Sequence, residues 1–329
     1  MAVDLKGRSF LTLMDFTPEE IRYHLDLSKK LKADRKAGRT GDALKGKNIL
    51  LLFEKSSTRT RSSFEAGATQ EGGNVTFLDN RHSQFGRKES LEDSAKVFGR
   101  IYDAIEYRGY AQSVVEDLAK YSGVPVYNGL TDTDHPTQIL ADLLTIEEHV
   151  DKKLSDVKVV FCGDTRNNMA YAWMYGCAKM GMSFAAYGPP ELAPDTAVME
   201  RVRGVAEETG AEIVFSSDVG VVESADVLYT DIWASMGEED RIPERVRLLT
   251  PYRVTSALLE ATGNPGTIFM HCLPAFHDFE TDMAKQQYAL GYDIREVTDE
   301  VFRSERSVVF DEAENRMHTI KAILVATLA

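Results

Sequence analysis

The chain has 329 residues, 43% hydrophobic and 27% charged, and 38 basic against 52 acidic side chains give a formal net charge of −14. That length suits two domains of about 150 residues rather than one core. So acidic a surface excludes the broad basic faces that nucleic-acid or anionic-membrane binding requires, yet leaves room for a small anion site built from a few arginines.

Thr17-Pro18-Glu19-Glu20 is a capping box with proline at the first helical position; it starts an amphipathic helix that carries Ile21, Leu25 and Leu31 and ends at Gly38. Ile49 to Phe53 reads as a buried strand. The segment from Ser57 to about Gln70 reads as a helix opening on hydroxyl residues suited to capping. After Gly72-Gly73 come a strand (74–78), an aperiodic polar stretch (79–88), a helix (89–100), a strand (104–107), a helix (114–121) and a fourth strand (124–127). A long helix from Pro136 to about Val150 precedes a second series. That series holds strand 157–162, helix 168–179 closed by Gly181, and strands 183–187, 212–215, 227–230 and 267–270. An amphipathic helix, 315–328, ends the chain. Strands alternating with helices predict an α/β fold of two domains, each a parallel sheet flanked by helices. The two divide near residue 150 and are expected to be joined by helices, with the active site in the cleft between them.

Three cysteines, Cys162, Cys177 and Cys272, form no CxxC pair and are odd in number. They argue against a disulfide framework or a zinc cluster and suit a reducing compartment. Met1 to Phe10 is mixed and charged, and no apolar run approaches the ~20 residues that span a bilayer. A cytoplasmic protein without membrane contact is expected.

Ligands of open parallel sheets gather beyond the carboxyl ends of the strands. Ser56-Ser57-Thr58-Arg59-Thr60-Arg61 follows the first strand. Arg59 and Arg61 near a helix start oppose its dipole unless an anion binds there. Phosphate fits best, because N–H groups, hydroxyls and guanidinium forks converge on its oxygens. A solvated basic helix start is the alternative. Arg108 follows strand 104–107, where an exposed arginine is equally natural. In His135-Pro136-Thr137-Gln138, proline at the first helical position makes His135 the N-cap and Gln138 the N3 residue. Either Gln138 reaches back as a cap, or His135, a poor cap beside Asp134, donates to a carbonyl or phosphate oxygen.

Gly163-Asp164-Thr165-Arg166-Asn167-Asn168 has the place of a dinucleotide loop but lacks both G-x-G-x-x-G and the P-loop pattern. Its asparagines bind an amino-acid head group or form a turn. Asp231, past strand 227–230, is a helix cap or a partner for a substrate ammonium, with Ser235 and the Met236 backbone placed to orient the same molecule. Cys272, in His271-Cys272-Leu273-Pro274, is a buried hydrophobe or part of the site at that strand end.

Together these segments resemble the aspartate/ornithine carbamoyltransferase family almost end to end. The resemblance is carried by Ser57-Thr58-Arg59-Thr60-Arg61, Ser83-Gln84-Phe85-Gly86-Arg87-Lys88-Glu89-Ser90, Tyr107-Arg108-Gly109 and the His135–Gln138 motif. It continues through Asn167-Asn168-Met169, Asp231 with Ser235-Met236-Gly237, His271 to Pro274, and Glu314-Asn315-Arg316-Met317. Cys272, where the aspartate branch carries proline, points with Ser235-Met236-Gly237 to the ornithine branch. Ala170 departs from the glycine of many relatives.

The resemblance implies that residues 1–150 bind carbamoyl phosphate, with the C-terminal helix 313–329 packed back onto them, and that 151–312 bind L-ornithine. It places Ser57, Thr58, Arg59, Thr60, Gln84, Arg108, His135, Gln138, Cys272, Leu273 and Arg316 on carbamoyl phosphate. Asn167, Asp231, Ser235 and Met236 fall on ornithine, and Arg108, His135 and Cys272 in catalysis. The implied reaction is attack of the δ-amine on the carbamoyl carbon, through a tetrahedral intermediate, to L-citrulline and phosphate, with the reverse direction serving arginine breakdown. No metal or organic cofactor is implied, because the mixed anhydride is already activated. The implied assembly is a homotrimer, or an assembly of trimers, in which Gln84 reaches a neighbour's site. Two readings outside the family stay open. One is an NAD-dependent dehydrogenase, weakened by the missing glycine fingerprint; the other is a non-catalytic binding protein, which the intact polar set disfavours.

Overall fold

The computed structural model describes residues 3–234 and 237–329, with His82 by its backbone alone. The chain divides into two compact units, Met1–Leu144 with Ala313–Ala329, and Thr145–Glu312. In the first unit β1 (Asn48–Phe53), β2 (Asn74–Asp79), β3 (Ala104–Arg108) and β4 (Val126–Leu130) form a parallel sheet in the order β2-β1-β3-β4. Every residue of β1 after Asn48 is buried, because a central strand is covered on both faces, whereas the edge strand β2 has no buried residue. Ile105 and Tyr107 of β3 enter a core with Leu50, Leu52, Val115 and Leu118. The pleat therefore turns Ala104, Glu106 and Arg108 to the opposite face.

Helix α1 (Pro18–Lys36) starts at the expected capping box: Thr17 Oγ1 accepts the Glu20 N–H at 3.2 Å, and Glu20 Oε2 accepts the Thr17 N–H at 2.9 Å. Helices α2 (Thr58–Gln70), α3 (Leu91–Ile101), α4 (Gln112–Ser122) and α5 (Pro136–His149) follow β1, β2, β3 and β4 in turn. The fourth strand lies at 126–130 rather than 124–127. Asn128 and Gly129 have turn chemistry, yet they sit inside the sheet. Gly129 is the extra residue of a bulge, since Tyr107 pairs with Asn128 while Arg108 pairs with Leu130. A Cβ on Gly129 would lie 1.8 Å from Glu106 Oε1, so any larger residue would have to displace that buried carboxyl. The bulge re-aims the strand end at the point where Arg108 leaves the sheet.

The second unit carries β5 (Lys158–Cys162), β6 (Ser183–Tyr187), β7 (Glu212–Ser216), β8 (Val227–Thr230) and β9 (Ile268–His271), all parallel, in the order β7-β6-β5-β8-β9. Helix α6 (Asn168–Met180) ends at Gly181, whose φ of 68° is the left-handed cap that its sequence suggested. Helices α7 (Thr196–Thr209), α8 (Ile242–Leu249), α9 (Ser256–Ala261), α10 (Asp282–Ala289) and α11 (Asp299–Phe302) were not anticipated. The last four have 8, 6, 8 and 4 residues, too few turns for a 3.6-residue period to register. The final helix, α12 (Val309–Leu328), begins at Val309 rather than at 315. The chain passes between the units inside α5 and again inside α12. No helix among the described residues is long and apolar enough to cross a membrane.

In each sheet the strand order reverses beside the first strand, between β1 and β3 and between β5 and β8. Such switch points open a crevice beyond the carboxyl ends of the strands, where ligands of these sheets bind.

Candidate active site

Beyond the first switch point Ser57 caps α2, its Oγ accepting the Thr60 N–H at 3.2 Å. The N-terminal N–H groups and positive dipole end of α2 thus lie just past β1. Arg316 of α12 is 2% exposed and reaches the same place. Its Nη2 donates to Thr60 Oγ1 at 3.1 Å and to Thr137 Oγ1 at 3.4 Å; its Nη1 donates to Gln138 Oε1 and lies 3.5 Å from His135 Nε2. Arg108 Nη1 adds a bond to Thr60 Oγ1 at 3.4 Å. Gln138 is steadied by donating to Asp142 Oδ1 at 2.7 Å. Thr60, Arg108, His135, Gln138 and Arg316 therefore form one cluster.

His135 is held uncharged in that cluster. Burial, then the guanidiniums of Arg316, Arg108 and Arg59, push its pKa well below the ordinary value. A neutral imidazole keeps one N–H for an oxygen without adding to the positive charge. Three guanidiniums beside a helix N-terminus are matched to a doubly charged phosphate. Arg61 turns away from them: its Nε donates to Glu65 at 2.8 Å, and its guanidinium lies 3.8 Å from the Phe77 ring centroid. The dipole argument for an anion consequently rests on Arg59 alone.

Two acids here were not singled out from the sequence. Glu106 shares the Arg108 face of β3, is wholly buried, and neither carboxyl oxygen has a hydrogen-bond partner among the described residues. Burial drives its pKa far up, against the pull of Arg108 and Arg316. An acid within Ala104-Ile105-Glu106-Tyr107 was a legible signal, because a strand covered on both faces has no packing use for a carboxyl. Glu54, at the end of β1, accepts from the Tyr107 hydroxyl and, at 2.7 Å, from Asn80 Nδ2. It fastens the start of the 79–88 stretch. Gln84 within that stretch is exposed, and its side chain joins none of these bonds among the described residues.

Beyond the second switch point Asn167 caps α6. Its Oδ1 accepts the Ala170 N–H at 2.8 Å, which leaves Nδ2 at 3.4 Å from Asp231 Oδ2. Asp231 Oδ1 accepts the Ile232 N–H at 2.8 Å and the Cys272 thiol at 3.2 Å. Burial pushes the Asp231 carboxyl up, and the bonds from Cys272 and Ile232 work the other way. Carboxyl, thiol and carboxamide thus converge from the ends of β8, β9 and β5, a set suited to an ammonium. Cys162 and Cys177 are buried elsewhere, with thiols pushed far up by burial, whereas Cys272 is partly exposed. Leu273 follows Cys272 with a φ of 55°. Ser235 and Met236 lie outside the described residues.

Residues 8–148 match the family model described as "Aspartate/ornithine carbamoyltransferase, carbamoyl-P binding domain", and residues 155–327 match its "Asp/Orn binding domain". A Clostridium perfringens protein named "Ornithine carbamoyltransferase, catabolic" is 66% identical over 99% of this chain and 99% of its own length. One from Staphylococcus epidermidis, "Ornithine carbamoyltransferase 1, catabolic", is 55% identical with the same coverage of both. Among solved structures, ornithine carbamoyltransferase from Pyrococcus furiosus has a TM-score of 0.91 at 40% identity and covers 99% of each chain.

Proposed function

The chain belongs to the aspartate/ornithine carbamoyltransferase family, and we infer that it transfers the carbamoyl group of carbamoyl phosphate to the δ-amine of L-ornithine, giving L-citrulline and phosphate. The observation that carries this reading is the convergence of Arg108 and Arg316 on Thr60 at the N-terminus of α2. Ser57, Thr58, Arg59, Thr60 and Arg316 take the phosphate. Arg108, His135 and Thr60 take the carbamoyl oxygen, and Gln138 the carbamoyl nitrogen. As the amine attacks, the new C–N bond forms and charge gathers on that oxygen, where each preorganised donor is worth ~3 kcal/mol. Collapse of the tetrahedral intermediate breaks the bond to phosphate, which takes up the extra proton of the attacking nitrogen and leaves into the guanidinium cluster. No cofactor enters, since the donor is already a mixed anhydride.

We assign ornithine to Asn167, Asp231, Ser235 and Met236, and assign Cys272 and Leu273 to carbamoyl phosphate, with Cys272 also in catalysis. The free δ-ammonium has a pKa of ~10, like lysine, and must lose its proton before it attacks. Asp231, answering the α-ammonium, and Cys272 hold the molecule so that its neutral δ-amine is presented. Positioning then supplies much of the rate, as oriented reactants reach effective molarities of order 10⁵ M. The catabolic names of two relatives support the reverse direction, phosphate attacking citrulline. We place the enzyme in the cytoplasm as a homotrimer or assembly of trimers, the exposed Gln84 of one subunit entering its neighbour's site.

The deciding experiment measures carbamoylation with L-ornithine, L-aspartate, putrescine and N-acetyl-L-ornithine as acceptors. Citrulline from ornithine alone is expected. Turnover with another amine would keep the phosphate site and overturn the acceptor reading, and no turnover at all would overturn both. Cys272→Ala, which removes the thiol donor without supplying a hydroxyl in its place, tests the acceptor side further. Losing a good thiol bond to a carboxylate costs about 1.5–3 kcal/mol, so kcat/KM for ornithine should fall about tenfold or more. Affinity for inorganic phosphate should not change; equal losses on both sides would remove Cys272 from the acceptor site.

A further inference from the structure

Where β9 ends, Leu273 has a left-handed backbone (φ 55°), which a branched side chain disfavours. Such a residue persists only where its surroundings over-determine it. Two buried side chains do so here. His271 Nδ1 accepts the Leu273 N–H at 2.9 Å, so the ring proton sits on Nε2, which donates to Glu296 Oε1 at 3.1 Å. The same Oε1 accepts the Phe276 N–H at 2.6 Å. Both His271 and Glu296 are 0% exposed. One carboxyl oxygen therefore ties down both flanks of the turn Cys272-Leu273-Pro274-Ala275.

We propose that Glu296 is a positioning residue for the acceptor half of the reaction: through His271, and directly at Phe276, it locks the turn that directs the Cys272 thiol to Asp231. It acts through the turn without touching substrate. The inference rests on the acceptor reading of Asp231 and Cys272 given above. What the role needs is an acceptor oxygen, not a charge. Oε2 of Glu296 has no partner among the described residues, and burial lifts the carboxyl to about 8, so at neutral pH Oε1 of the protonated acid receives both bonds. Glutamine reproduces that arrangement and leucine abolishes it.

The test compares Glu296→Gln and Glu296→Leu with the parent, in the full chain. Steady-state kinetics and calorimetric titration with inorganic phosphate are supplemented by ¹⁵N spectra of selectively labelled histidine. Glu296→Gln should stay within about threefold of the parent, since an isosteric acceptor keeps both bonds. Glu296→Leu should lose about tenfold to a hundredfold in kcat/KM for ornithine, the cost of a misplaced site, with phosphate affinity unchanged. Parent-like kinetics in Glu296→Leu, or a glutamine variant as impaired as the leucine one, would overturn the proposal. Should Glu296→Leu fail to fold, the parent spectrum still decides: His271 protonated on Nδ1 would contradict the geometry. Absence of ornithine turnover in the parent would instead strike the acceptor reading, which the spectrum does not depend on.

Discussion

Replacing Arg316 with methionine should lower kcat/KM for carbamoyl phosphate by about 10³-fold and leave the KM for ornithine near that of the parent. Truncating one member of a buried, charged hydrogen-bonded set costs about 2–5 kcal/mol, and this guanidinium serves Thr60, Thr137, Gln138 and His135 at once. Methionine keeps most of the stem volume, so the loss does not arise from a cavity. Arg316→Lys should not rescue the activity, because a single ammonium cannot donate to Thr60 and Gln138 on two sides. Calorimetric titration with inorganic phosphate reads the effect directly. Unchanged affinity would take Arg316 out of the phosphate site. A second readout is pH. Arg316 helps to depress the His135 pKa, so its loss raises that pKa toward the ordinary value. Activity requires the neutral imidazole, and the acid limb of kcat/KM should therefore move to higher pH in Arg316→Met.

Asp231→Asn should cost kcat/KM for ornithine about 10²-fold or more and leave inorganic phosphate binding intact. Asparagine is isosteric, and its Oδ1 can still accept from Ile232 and Cys272, which now bond the carboxyl at 2.8 and 3.2 Å. What disappears is the charge that answers a substrate ammonium, together with the acceptor that Oδ2 offers Asn167 Nδ2 at 3.4 Å, again about 2–5 kcal/mol at a buried position. Parallel titrations with ornithine and phosphate separate the two halves of the site. A fall in phosphate affinity as large as that for ornithine would mean that Asp231 supports the fold rather than the acceptor.

Much of the architecture was legible because its signals are local. Five apolar residues in a row announce β1, the box at Thr17–Glu20 announces α1, and a glycine after an apolar helix announces the end of α6. The errors fall where tertiary context overrides local chemistry. Asn128 and Gly129 look like a turn, but the pairing of Asn128 with Tyr107 and of Leu130 with Arg108 keeps them within β4, where the buried Glu106 carboxyl occupies the space beside Gly129. Helices α8 to α11 are too short for periodicity to reveal. Arg61 has the chemistry of half an anion site, but Glu65 and the Phe77 ring hold it.

The site shows the same division. Which residue types stand at strand ends and helix starts is written along the chain, and so Ser57, His135, Gln138, Asn167, Asp231 and Cys272 are legible in the sequence alone. Their chemical state could not. Thr60 and Arg316 are 256 positions apart and meet at 3.1 Å only once α12 lies against α2. The uncharged state of His135 and the tie from Glu296 through His271 to Leu273 likewise arise from burial and neighbours remote in sequence. Short-range steric and capping preferences act between adjacent residues and can be read in order; desolvation and long-range hydrogen bonding exist only after the chain has closed on itself.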